Sequence, residues 1–367
     1  MPGLACGIVG LPNVGKSTLF NALTSNKAEA SNYPFCTIDP NVGVVEVIDE
    51  RLKVLSDLSQ SKKIIYATME FVDIAGLVAG ASQGEGLGNK FLANIRETDA
   101  IVHVVRCFES TDIVHVAGKV DPIKDIEVIN LELQYSDLQT AENVYSRLEK
   151  QAKSKKELIP LLDCLKKIQL HLNEGRPVRS LELTDEEKEL IKPYPFLTAK
   201  KVLYVANVDD SDLPSMENAF VQKVREYALN EGNSMITICA KIEEEIAQLD
   251  MADRLQFLES MGLNETGLNR LIKTSFNMLD LITYLTTGEM ETRAWTIAKG
   301  TKAPQAAGKI HSDIEEGFVR AEVIAFEDMV KYQGRAGVKE AGKMRAEGRD
   351  YVVQDGDIMN FLHNKRS

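Results

Sequence analysis

The chain has no C-x-x-C pair among its five cysteines, Cys6, Cys36, Cys107, Cys164 and Cys239. A thiolate zinc site or a dithiol redox centre needs such spacing, so both are set aside. The thiols read as reduced side chains of a cytosolic protein. An excess of positive charge is missing too. The formal net charge is −12, which argues against a molecule built throughout as a nucleic-acid clamp. No apolar run approaches the roughly 20 residues that a membrane-spanning helix requires. What remains is a 367-residue chain with ordinary apolar and charged fractions. That length accommodates two or three domains.

Against these absences stands Gly10-Leu-Pro-Asn-Val-Gly-Lys-Ser-Thr18, a G-x-x-x-x-G-K-[ST] phosphate loop. Such a loop exposes consecutive backbone N–H groups, and the helix behind it adds a favourable dipole. Gly10 and Gly15 permit the tight path, Lys16 can reach β- and γ-phosphates, and Ser17 can ligate Mg²⁺. The short apolar strand Cys6–Val9 precedes the loop, and a helix from Thr18 follows it. The strand pattern Met69–Asp73 then ends in Asp73-Ile-Ala-Gly76, a D-x-x-G switch. There the carboxylate can hold Mg²⁺ through water, and the Gly76 N–H can sense a γ-phosphate.

Residues 3 to about 127 alternate strands and helices, which implies a parallel sheet covered on both faces. From Val128 the pattern changes. Leu131, Leu138, Ala141, Tyr145, Leu148 and Ala152 recur at helical spacing, as do Leu158, Leu161, Leu165, Ile168 and Leu172. Two such stripes predict an antiparallel helical hairpin whose faces pack on each other. Strand patterns resume at Lys201–Ala206 and Met235–Ala240, so the hairpin interrupts the α/β region. From Leu281 a small mixed domain is expected, with strands at Ala294–Ile297, Phe318–Ile324 and Tyr351–Val353 and a turn at Gln354–Asp357. Its Lys331, Arg335, Lys339, Lys343, Arg345 and Arg349 suit either a solvated face or an RNA-phosphate contact.

Two further absences bear on the nucleotide. A guanine-reading N-K-x-D motif is incomplete in Asn207-Val208-Asp209-Asp210. Val208 stands where the lysine would pack on the base, although Asp210 could still accept from guanine N1 and N2. Cys239-Ala240-Lys241 stands where an S-A-K loop would touch the base edge. Chemistry alone leaves GTP and ATP open. The switch also lacks its water-orienting glutamine, because Leu77 follows Gly76.

The phosphate loop, Asn32-Tyr-Pro-Phe-Cys-Thr-Ile-Asp-Pro-Asn41, Asp73-Ile-Ala-Gly-Leu77 and Gly84-Glu-Gly-Leu-Gly-Asn89 resemble the motifs of the YchF / Obg-like ATPase family. The likeness runs the whole length. It implies an α/β P-loop NTPase domain over 1–127 and 199–280. An α-helical coiled-coil hairpin is inserted at 128–198, and an α+β TGS (ubiquitin-like) domain covers 281–367. It also implies a slow, Mg²⁺-dependent ATPase that takes GTP second and acts as a nucleotide switch in translation or stress response. The implied partner is the ribosome or its large subunit, with RNA contact through the TGS and helical domains. The implied state is a cytoplasmic monomer with no membrane partner. A true GTPase in ribosome assembly is the alternative.

Residue by residue, the resemblance makes Asn13, Val14, Gly15, Lys16, Ser17 and Thr18 phosphate contacts. Ser17 and Thr37 become Mg²⁺ ligands supported by Asp73, and Gly76 becomes the γ-phosphate sensor. Asn207, Val208, Asp210, Ala240 and Lys241 become base contacts. Members usually carry glutamate at the position of Asp210, so this chain departs from the pattern that weakens guanine reading. His115 matches the family's candidate for the missing glutamine and joins Lys16 as a catalytic candidate. Read from residues alone, a lone histidine in an apolar context is a packing group. K⁺ held beside Asn13 is the other route to hydrolysis that relatives suggest.

Overall fold

The computed structural model describes residues 4–25, 41–75, 87–110 and 119–364. Strand β1 (Ala5–Val9) runs through the phosphate loop into helix α1 (Lys16–Ser25). Strand β2 (Val42–Val47) and helix α2 (Glu50–Ser59) follow, then β3 (Ile64–Ile65) and β4 (Ala67–Asp73). Helix α3 (Leu87–Arg96) leads to β5 (Ala100–Arg106). The helical insertion comprises α4 (Pro122–Ala152), α5 (Ile159–Asn173) and α6 (Asp185–Ile191). Beyond it lie β6 (Lys201–Asn207), α7 (Ala219–Asn230) and β7 (Ser234–Ile238). Helices α8 (Ala240–Ala247), α9 (Met251–Ser260) and α10 (Gly267–Met278) complete this part of the chain.

The first sheet has the order β2-β4-β1-β5-β6-β7. Its pairs β1·β4, β1·β5, β5·β6 and β6·β7 are all parallel. Every residue of β1 and β5 is buried, as expected for central strands covered on both faces. The register sets Ile8 opposite Asp73. The D-x-x-G carboxylate thus emerges beside the strand that feeds the phosphate loop.

Asp121 starts α4 by accepting from the Lys124 N–H, and Pro122 occupies the first turn, where its missing donor costs nothing. Helices α4 and α5 bury Ala141, Leu148, Leu161, Leu165, Ile168 and Leu172 in one core. Leu131 departs from the expected stripe, being 67% exposed. At that end of α4 the buried face is Ile126, Ile129, Asn130 and Leu133. Leu131 and Leu138, seven residues apart, share one helix face to within about 20°, but only Leu138 packs against the hairpin core. Further along α4, the buried Asp137 carboxylate accepts from Leu197 N, Thr198 N and Thr198 Oγ1, each at 2.7 Å. It pins the returning chain to the hairpin base.

His103 lies inside β5, only 2% exposed, with its ring 5.6 Å from that of Tyr204. Burial first, and the Arg179 charge second, lower its pKa from 6.5 to about 3. The unfolded chain therefore binds a proton at mildly acidic pH that the folded chain refuses. The stability contributed by neutral His103 is complete above pH 6.5 and is lost as pH falls toward 3, at about 1.4 kcal/mol per unit. Between pH 6.5 and 5 the expected loss is about 2 kcal/mol. Urea unfolding of wild type and His103→Gln at both pH values checks this. Equal acid sensitivity in the two would assign the loss elsewhere.

The C-terminal elements are β8 (Leu281–Thr287), β9 (Thr292–Ala298), α11 (Ala303–Ile310) and α12 (Ser312–Glu316). They continue through β10 (Phe318–Ile324), α13 (Phe326–Lys331), α14 (Arg335–Glu340), β11 (Arg345–Glu347) and β12 (Ile358–His363). The second sheet has the order β11-β10-β12-β8-β9-β3. Its β8·β9 hairpin is antiparallel, and β12 joins β8 in parallel. Helix α11 covers the core formed by Tyr284, Ile297, Phe318, Val323 and Phe361. This is the α+β, ubiquitin-like arrangement.

Tyr351–Val353 forms no strand. Only Val352 makes an isolated bridge, to Lys302, while the Tyr351 hydroxyl is drawn to Asp357. The expected turn at Gln354–Asp357 is present, closed by Asp357 N to Gln354 O at 3.2 Å. Two compact units result. Among the described residues, Glu70–Leu271 groups with the β1-α1 segment, whereas Val44–Met69 groups with the chain from Ile272 onward.

Candidate nucleotide site

The phosphate loop owes its path to two glycines and one asparagine. Gly15 has φ +93° and Asn13 has φ +65°, the left-handed region. Asparagine tolerates that region better than most side chains, and glycine enters it freely. A Cβ on Gly15 would collide with the Asn207 amide, and one on Gly10 would lie 2.8 Å from Val104 O. Helix α1 begins at Lys16, and Leu19 N donates to Gly15 O at 2.9 Å. The loop backbone thus faces the open space in front of the helix N-terminus.

That space is a cavity of about 640 Å³. Asn13, Gly15, Lys16, Ser17 and Thr18 line one side, and Asn207, Val208, Asp210, Ala240 and Lys241 line the other. Residues nearly two hundred positions apart in the chain therefore share one cleft, which is what a nucleotide with a base and a polyphosphate requires.

Asn207 joins the two sides. Its Nδ2 donates to Val14 O and its Oδ1 accepts from Ala240 N, both at 2.9 Å, and the side chain is almost wholly buried. The sequence marked Asn207 as a base contact. The geometry shows it as a clamp between the phosphate loop and the start of α8. Val208 is buried, with its N–H on Ile238 O. Asp209 is used within its own turn, accepting from Ser211 N and Ser211 Oγ. Asp210 instead pairs with Lys241, Oδ2 to Nζ 2.6 Å. Lys241 first, then Asp209, hold the Asp210 carboxyl below the usual range.

Lys16 forms an ion pair with Asp73, and both side chains are largely covered. The backbone around Asp73 is fixed by Asp73 N to Asn41 O at 2.8 Å and Ile74 N to Ile8 O at 3.1 Å. Ser17 Oγ and the Asp73 carboxylate are hard oxygen donors. They suit Mg²⁺, which takes one or two protein oxygens and fills its octahedron with water and phosphate. Thr37, Gly76 and His115 lie outside the described residues, as does Leu77.

Of the residues in and behind the cleft, Phe108 and Glu243 had no sequence signal. Phe108 lines it directly after β5, with the Arg106 guanidinium 4.7 Å over its ring. Cys239 borders it, but burial pushes that thiol up to about 11, so it is no nucleophile near neutrality. The buried Glu243 accepts from Gly267 N and Leu268 N at 2.6 and 3.2 Å, fastening α8 to the start of α10. A carboxylate one turn into a helix looks solvated in sequence, and only the fold reveals its partners.

Comparison with known proteins follows the same division. Residues 5–152 match the family model described as 50S ribosome-binding GTPase. Residues 281–364 match the model of the YchF GTPase C-terminal domain, described as a protein of unknown function. The chain is 55% identical over 363 residues to the "Ribosome-binding ATPase YchF" of Haemophilus influenzae, covering 99% of each protein. The protein of the same name from Bacillus subtilis is 54% identical over 363 residues, covering 98% of this chain and 99% of its own. Among solved structures, the YchF GTPase of Schizosaccharomyces pombe matches with a TM-score of 0.89 at 37% identity, covering 99% of each chain.

Proposed function

The chain belongs to the YchF family of P-loop nucleoside triphosphatases, and on that premise we propose that it is a slow, Mg²⁺-dependent ATPase of the ribosome. It takes GTP as a second substrate and works as a nucleotide switch in translation or stress response. The observation that carries the reading is the cleft itself. One asparagine, Asn207, ties a phosphate loop to a base loop around about 640 Å³. Bacterial relatives named ribosome-binding ATPases supply the substrate and the partner.

Each residue has a task in this reading. The backbone from Asn13 to Thr18 donates to phosphate oxygens. Lys16 exchanges the Asp73 carboxylate for the β- and γ-phosphates. Ser17 and Thr37, with Asp73 through water, hold Mg²⁺, which when bound neutralises charge on those oxygens. Gly76 reports the γ-phosphate. Val208 gives the base an apolar neighbour with no lysine. The nucleotide-binding domain spans 1–127 and 199–280, the helical insert 128–198 and the TGS domain 281–367. RNA contact falls to the latter two. In the TGS domain Arg335 pairs with Glu322, and Arg345 with Glu347 and Asp357. Lys331, Lys339 and Lys343 are exposed and remain for phosphate. The protein works in the cytoplasm as a monomer. Among the described residues, no helix is long and apolar enough to cross a membrane.

Side-by-side titration with ATP and GTP in the presence of Mg²⁺ tests the nucleotide. ATP is expected to bind at least as tightly as GTP. GTP binding more than tenfold tighter would instead support a true GTPase in ribosome assembly. Co-sedimentation with ribosomes, with and without ATP, tests the switch. Association indifferent to nucleotide overturns it.

A further inference from the structure

The base side of the cleft holds an ion pair that the nucleotide reading does not use. Lys241 lies in the first turn of α8, just after β7, and Asp210 opens the turn after β6, 31 residues earlier in the chain. Their side chains meet at 2.6 Å, and both residues line the cavity. Asp209, the neighbouring carboxylate, is committed to Ser211. Asp210 is therefore the carboxylate presented to a base here.

Guanine and adenine place different demands on that group. Guanine offers two donors side by side, N1–H and N2–H, which one free carboxylate takes with both oxygens. Adenine offers an acceptor at N1 and a donor at N6, and has no use for a bidentate carboxylate. A lysine bonded to Oδ2 occupies half of the guanine-reading surface and neutralises its charge. Guanine must displace the ammonium or accept a single oxygen, whereas adenine needs neither. We propose that Lys241 is a specificity-determining residue that disfavours guanine by holding Asp210 in this ion pair. The proposal rests on the nucleotide reading above and assigns its base preference to a pair of side chains.

The pair is partly solvated, with the lysine 64% and the aspartate 38% exposed. Its influence is correspondingly modest, about fivefold in the affinity ratio. The experiment is competitive titration of Mg·ATP and Mg·GTP on the full chain and three variants. Lys241→Ala is expected to shift the ratio toward GTP about fivefold. Lys241→Arg, which keeps a cation on Asp210, should stay near wild type. Lys241→Ala combined with Asp210→Asn should lose the gain, because the freed group no longer accepts from both guanine donors. Added salt should move wild type toward GTP and leave Lys241→Ala unmoved, since only wild type has a pair to screen. A ratio unchanged in Lys241→Ala, or a gain that survives in the double variant, overturns the proposal. Failure of wild type to bind either nucleotide would instead overturn the nucleotide reading.

Discussion

Lys16→Ala is expected to lower ATP affinity at least tenfold in calorimetry with Mg²⁺ present. Lys16 is the one cationic side chain within Gly10–Thr18, and its ammonium is already held at the mouth of the cleft by Asp73. Charge-assisted contacts of this kind are worth roughly 1.5–3 kcal/mol. A value at the low end gives the tenfold loss, and one at the high end gives about a hundredfold. The Asp73 pair subtracts from the gain, because phosphate must replace a carboxylate already in place. It cannot cancel the gain, since a triphosphate offers more charge than one aspartate. The substitution also leaves Asp73 without its ammonium beside the incoming phosphates, which adds repulsion. Retained secondary structure by circular dichroism separates loss of binding from loss of fold. Unchanged affinity in a folded variant would remove the phosphate-binding assignment from this loop.

The parts of this site that could be read from the sequence are those set by short-range chemistry. Gly10, Gly15 and Lys16 lie within seven residues, and the backbone angles at Asn13 and Gly15 are the ones a phosphate loop needs. Asp73 could be placed because a buried strand pattern delivers it, and the register with Ile8 follows from that strand. Strand patterns such as Lys201–Ala206 and Phe318–Ile324 were legible for the same reason: local apolar runs reflect burial on a sheet.

What escaped depends on pairs distant in sequence. Asn207 bonds to Val14 and Ala240, and Lys241 reaches Asp210. No local pattern encodes either. Glu243, His103 and Asp137 are polar residues that a sequence reading gives to solvent or leaves unremarked, yet the fold buries all three. The Leu131 error has the same origin. Helical periodicity puts Leu131 on the face of Leu138 but does not show how far along a long helix that face stays covered. The grouping of Val44–Met69 with the C-terminal unit is likewise a matter of which surface a segment packs on. Composition along the chain carries no trace of it.

His115→Ala is expected to reduce ATP turnover by about 10²–10⁴-fold while leaving ATP affinity nearly intact. Leu77 stands where a glutamine would orient the attacking water, and its side chain has no polar atom to do so. Some other group must position that water, and the family resemblance offers His115. A group that acts on water and not on the nucleotide contributes in the transition state. Its loss therefore lowers the rate without weakening ground-state binding. A packing histidine behaves in the opposite way: its removal would perturb stability and leave the rate per folded molecule unchanged. Single-turnover hydrolysis beside equilibrium binding distinguishes the two, and wild-type turnover in the variant would return His115 to a packing role. Repeating the assay in potassium and in sodium addresses the cation route. A large potassium stimulation that persists in His115→Ala would move the charge stabilisation to a monovalent ion beside Asn13, whose left-handed backbone already places it in the bend of the phosphate loop.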